Sequence, residues 1–140
     1  MKVLSLLQPW ATLVVIGAKK FECRSWNTNY RGPIIIHASG KKPSRREKLF
    51  FRKADFFRNY IDDMDYLPFG PLIGKVILKE IFRTEWLLQN LEVAPKLNWE
   101  QELAFDDYSS NRYAWQLEEA EAFSATLPIK GRLGLGNTMA

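Results

Sequence analysis

A lysine, a glutamate and an arginine fall within six residues of this chain, at Lys19, Glu22 and Arg24 in the run Gly17-Ala18-Lys19-Lys20-Phe21-Glu22-Cys23-Arg24-Ser25-Trp26. Lys19 is a compact point charge with three donors, whereas Arg24 carries a planar fork that matches phosphate or carboxylate. With the set partly buried, Arg24 would keep the proton affinity of Lys19 from rising and Glu22 would oppose that, so a lysine so balanced could act as a base or as a donor. Trp10 and Trp26 flank the set with rings on which a nucleobase could stack, at roughly 1–3 kcal/mol per base. Gln8 offers the paired donor and acceptor that reads a base edge. Gln8, Trp10, Lys19, Arg24, Ser25 and Trp26 are therefore the candidate ligand-binding residues. If the chain is an enzyme, Lys19 and Glu22 are the candidate catalytic ones. The architectural alternative is a Glu22–Arg24 ion pair across the mouth of the fold.

The elements that must position these residues follow from periodicity and punctuation. Residues 3–6 read as a short strand, Pro9 suits the first position of a helix, and Gly17 supplies its left-handed stop. Residues 21–26 alternate in the manner of a half-buried strand, which puts Glu22, Arg24 and Trp26 on one face and Phe21 and Cys23 on the other. Residues 33–38 form a β-branched run bounded by turn residues, the pattern of a buried strand. Within it His37 reads as a satisfied histidine rather than a catalyst, and Cys23 as an inert inward thiol.

Ser44 and Glu47 form a capping box after Pro43, which predicts a helix over 41–61. Its core stripe is expected at Phe50, Ala54, Phe57 and Ile61, with Arg45, Lys48 and Arg52 opposite. An acidic, turn-rich connector follows at 62–71. Residues 72–84 read as a long strand with a bulge, 99–105 as a short helix, and 112–126 as a strand with a helical rival at 117–123.

Composition narrows the classes. In 140 residues with 46% hydrophobic content there is enough apolar material for one buried core, and disorder is excluded. No apolar run approaches the roughly 20 residues that cross a bilayer, and the first 17 residues lack the features of a signal peptide. One cysteine and one histidine cannot make a disulfide or a structural zinc site. A cytoplasmic protein with no cofactor, no metal and no membrane contact is expected. The net charge of +4 hides a polarity: residues 19–58 hold twelve Lys/Arg against three Asp/Glu, and the remainder is net acidic. Lys41, Lys42, Arg45, Arg46, Lys48 and Arg52 are thus candidate contacts to a nucleic-acid backbone. Capture of phosphate at the start of that helix would gain from its free N–H groups.

Strands outnumber helices without a βαβ alternation, so the expected class is α+β, a small, mostly antiparallel β-barrel with flanking helices. The ordered motifs carry a resemblance. Gln8-Pro9-Trp10-Ala11, the Gly17–Trp26 run, Arg31-Gly32, Ile36-His37-Ala38, Lys41-Lys42-Pro43-Ser44, residues 71–76 (PLIGKV) and residues 123–131 (FSATLPIKG) together resemble an ASCH domain (activating signal cointegrator-1 homology), of the PUA-like superfamily. The likeness spans residues 3–133, with no counterpart for 90–110. A single domain over 1–136 with a frayed tail at 137–140 is expected.

The resemblance implies a PUA-like barrel with a cleft between barrel and helices. In relatives that cleft is linked to RNA or DNA binding, and in one branch to deacylation of N4-acetylcytidine by a lysine, a threonine and a glutamate. The lysine position is Lys19. The threonine position holds Glu22, which cannot replace a hydroxyl nucleophile without a change of mechanism. The glutamate falls in the unmatched region, near Glu100 and Glu102. Lys130 is placed beside the cleft by the same analogy. The preferred reading is a nucleic-acid-binding module, for RNA before DNA. The alternative is a small hydrolase, either an amidohydrolase of a modified nucleoside or a ribonuclease.

Overall fold

The computed structural model describes residues 1–128, 138 and 139. Among them five strands form one mixed sheet in the order β1-β3-β4-β5-β2. β1 (Lys2–Leu6) runs parallel to β3 (Gly32–Ala38), while β4 (Leu72–Arg83), β5 (Tyr113–Leu127) and β2 (Phe21–Arg24) complete the sheet with antiparallel pairings. Residues 117–123 belong to β5, so the strand reading holds there over the helical one.

The α+β class is as expected, but the sheet is not a closed barrel. Its two shortest strands, β1 and β2, stand at opposite edges and do not pair with each other. Among the described residues the outer edge of β1 bridges Val3 to Thr138, where the Met139 N–H donates to the Val3 carbonyl at 2.7 Å. Curvature comes from β4 and β5, whose register slips at three places, with Glu119 at φ 51°. Such bulges coil a sheet without closing it.

α1 (Trp10–Val15) crosses the sheet and buries Ala11, Val14 and Val15 against it, with Leu4, Leu6, Ile34, Ile36 and Trp115. Its approach to β4 is close: a Cβ on Gly74 would sit 2.6 Å from Val15 Cγ1 and 2.5 Å from the Glu121 carbonyl oxygen. Gly17 ends the helix at φ 79°, and the Leu13 carbonyl then accepts from both Ala18 N–H and Lys19 N–H at 3.0 Å. That turn carries Lys19 inward.

The expected helix over 41–61 is two. α2 (Arg45–Lys53) keeps the capping box of Ser44 and Glu47, but Ala54 adopts ψ 113° and α3 (Asp55–Arg58) begins afresh. The break resets the helical phase. Phe51, Phe57 and Ile61 are buried with Phe105, whereas Phe50, expected in the core, is 58% exposed and Ala54 only half-buried. β3 is likewise not buried throughout: Ile34, Ile36 and Ala38 face the core and alternate with half-exposed neighbours. α4 (Thr84–Gln89), absent from the expectation, follows β4 directly and buries Leu87 with Phe21 and Cys23. α5 (Trp99–Phe105) is as expected, capped by the Asn98 side chain.

Candidate functional site

The two edge strands that fail to meet leave a cleft of about 630 Å³ between them. Ser5 and Leu6 line it from β1, Glu22 and Arg24 from β2, and Phe50 and Phe57 from α2 and α3. Trp10 at the start of α1 and Phe105 to Asp107 at the end of α5 complete the wall. Trp10 is fixed by its indole N–H, which donates to the Phe105 carbonyl at 2.6 Å, and by edge contacts with Phe51 and Phe57.

Lys19, Glu22 and Arg24 form one chain of contacts. Lys19 Nζ donates to Glu22 Oε1 at 2.8 Å, and Arg24 Nη1 donates to Glu22 Oε2 at 3.1 Å. The alternation of β2 therefore puts Glu22 and Arg24 on one face. Lys19 itself is sealed behind the cleft wall, 1% exposed, and also donates to Asp106 Oδ2 and to the Phe21 carbonyl. Burial works to lower its pKa, but Glu22 and Asp106 outweigh that and raise it above the ordinary lysine value. With all three protons engaged and the charge locked on, Lys19 has no lone pair for base or nucleophile chemistry in this arrangement. It fixes the carboxylates that face the cleft.

Arg24 is the cation that reaches the opening, with its side chain 26% exposed. Its guanidinium also lies 5.6 Å from the centre of the Trp26 ring, and Trp26 packs edge-on against buried Trp115. Trp26 thus buttresses Arg24 and does not line the cleft. Gln8 is buried and uses both ends of its amide on the backbone, donating to the Pro68 carbonyl at 2.9 Å and accepting from Thr12 N–H at 3.0 Å. It stitches α1 to the 62–71 connector. Ser25 is exposed beyond the end of β2, and Lys130 lies outside the described residues.

The acids of residues 90–110, a stretch expected to have no family counterpart but spanned by the site, hold it together. Asp106 Oδ2 accepts from Cys23 N–H at 2.9 Å as well as from Lys19. Glu102, 2% exposed, accepts from the backbone N–H groups of Lys20 and Phe21 at 3.0–3.1 Å. Burial raises its pKa, against the pull of those N–H groups and of Lys19. Glu100 is exposed on the same helix. Burial raises the Cys23 thiol pKa too, so that sulfur stays protonated. Sequence reasoning missed Asp106, because nothing local to residues 104–108 distinguishes a carboxylate that reaches back to β2.

The candidate backbone contacts gather on α2 and the segment before it. Lys41, Lys42, Arg45, Arg46 and Arg52 are exposed, and among the described residues none has a carboxylate in salt-bridge range. Lys48 differs, paired with Asp65 at 2.6 Å. No group of three or more His, Cys, Asp or Glu among the described residues is placed to hold a metal ion, and no helix there is long and apolar enough to cross a membrane.

Comparison with known proteins agrees with this fold. The chain is similar in fold to the crystal structure of the ASCH protein from Zymomonas mobilis, with a TM-score of 0.50 at 18% identity, covering 91% of this chain and 74% of a single-residue variant of that protein. The unsubstituted Zymomonas protein gives the same TM-score and identity, with 72% of its length covered. A 44-residue stretch is 54% identical to activating signal cointegrator 1 of mouse and of human, which is 31% of this chain and 8% of those much longer proteins. The ASCH domain family model matches residues 4–127. A sheet with an open cleft, the charged run at its edge and a match over nearly the whole chain lead to one assignment: this protein belongs to the ASCH domain family.

Proposed function

We propose that this protein is a cytoplasmic RNA-binding module that takes an unstacked base of a single strand into the cleft and holds the adjoining phosphates on α2. The observation that carries the reading is the position of Phe50. It sits on α2 among exposed, unpaired cations and at the same time lines the cleft beside Trp10. Backbone contact and base contact are thus adjacent, which is how single strands are bound: a positive track follows the phosphates while aromatic rings take the bases. The carboxylates of Glu22 and Asp106 are already bonded to Lys19 and Arg24, so the cleft carries little net charge and suits a neutral base. The hydrolase reading through Lys19 draws less support, since the ammonium is buried and fully bonded.

Fluorescence titration with a labelled single-stranded RNA at two salt concentrations tests the proposal. Affinity should fall with salt at a log–log slope of about −0.7 for each phosphate contacted. Trp10→Ala should weaken binding by the worth of one stacked base, roughly 1–3 kcal/mol. Absence of binding at low salt would end the proposal.

A further inference from the structure

Ser5 and His37 stand opposite each other across the parallel pairing of β1 and β3. Ser5 Oγ lies 2.7 Å from His37 Nδ1, and His37 Nε2 lies 2.9 Å from the Gly70 carbonyl oxygen. A carbonyl can only accept, so Nε2 carries the ring proton and Nδ1 is left with its lone pair. The Ser5 hydroxyl proton is therefore directed onto Nδ1. The orienting carbonyl is held in turn: the Gly70 N–H donates to the Ala38 carbonyl at 2.8 Å, and Gly70 stands at φ 112°, where a side chain would be strained. A hydroxyl, a base in hydrogen-bond reach and a third group that fixes the tautomer of that base are the parts of an activated serine. Ser5 lines the cleft and is half-buried, with Trp10 and Phe50 on its walls and Arg24 across it.

We propose that Ser5 is a nucleophile, with His37 as its general base, toward carboxylic esters whose aromatic or heteroaromatic portion rests on Trp10 and Phe50. Ser5 Oγ forms a bond to the acyl carbon as its proton passes to His37 Nδ1. The bond from that carbon to the alkoxy oxygen breaks, and the leaving alcohol takes the proton from Nδ1. Water then gives a proton to Nδ1 and attacks the acyl carbon, and Ser5 departs and recovers its proton. The products are an acid and an alcohol, and no redox partner or further reactant is required. Gly70 is a positioning residue in this scheme. The proposal shares the cleft and the rings of Trp10 and Phe50 with the RNA-binding reading but assigns Ser5 and His37 a role that reading does not use, so an adduct at Ser5 and RNA affinity are read out separately.

An aryl fluorophosphonate applied to the full chain reads the nucleophile directly, through intact mass and peptide mapping. One adduct per chain at Ser5 is expected, lost in Ser5→Ala and slowed at least tenfold in His37→Gln. Thermal unfolding of each variant confirms that it is folded. A second arm uses Ser5→Cys, in which the new thiol should react with iodoacetamide at least tenfold faster than in the Ser5→Cys/His37→Gln double variant. Turnover of 4-nitrophenyl acetate should disappear with Ser5→Ala. No adduct on the folded wild-type chain, an adduct that maps elsewhere, or thiol reactivity indifferent to His37 would each overturn the proposal.

Discussion

Lys19 and Arg45 both belong to the basic half of the chain, yet their surroundings are opposite. Lys19 is buried, and each of its three protons meets an oxygen, two of them on carboxylates. Arg45 opens α2, exposed, with six more cations on that helix and the segment before it, and has no acid in salt-bridge range among the described residues. Removing a charge from water is repaid only by complete pairing, so the first region is architecture that shapes the cleft wall. An exposed cation without a partner contributes almost nothing to stability and remains available to a ligand. Charge density along the sequence does not separate the two; burial and partners do.

The sharpest way to break this contrast is Asp106→Ala, which leaves the buried ammonium short of one carboxylate and frees the Cys23 N–H. A loss of about 3–5 kcal/mol in urea unfolding is expected. A loss below about 1 kcal/mol would mean that water already reaches Lys19.

Alkaline pH strains the same region more gently. Cys23 and Tyr108 have raised pKa values from burial, and Lys19 from Glu22 and Asp106 against burial. In the unfolded chain these groups lose protons at ordinary values while the folded chain retains them. Above about pH 9 the unfolded state therefore binds fewer protons, and stability falls with rising pH. The urea midpoint should be level near pH 8 and decline toward pH 11, with Cys23→Ala removing the earliest part of the decline. A midpoint flat across that range would contradict the assignment.

The smallest effect on stability is expected at α2. Replacing Lys41, Lys42, Arg45 and Arg46 together by alanine should move unfolding by no more than about 1 kcal/mol, because among the described residues none is ion-paired, the one ring contact (Lys42 over Phe69) is exposed, and the Ser44 cap survives. RNA affinity should drop in the same variant, and the salt slope should flatten by about 0.7 for each phosphate contact removed. Unchanged affinity would move the binding surface elsewhere.

Much of this was legible from local pattern. The capping box and the left-handed stop at Gly17 are short-range signals and appear as read, whereas the strand expected over 21–26 ends at Arg24, buries Phe21, Glu22 and Cys23 in succession, and leaves Trp26 beyond it and off the cleft. The phase of the 41–61 segment was not, because its break at Ala54 comes from packing Phe51 and Phe57 on Phe105 rather than from any helix breaker. Barrel closure was misread because strand count says nothing about whether two short edges reach each other. Ser5 and His37 are 32 residues apart, so a bond between them is invisible until β1 and β3 are in register.

The tie from Asp106 to Lys19 and Cys23 also bears on how the molecule comes together. A chain synthesised only as far as residue 105 would display every motif between 17 and 26 and still lack the acid that lets the lysine leave water. Closing a loop of more than 80 residues carries an entropy cost that short-range contacts do not bear. The wall of the cleft thus forms only once Asp106 has been added, and a ligand that needs that wall can engage only a domain folded that far.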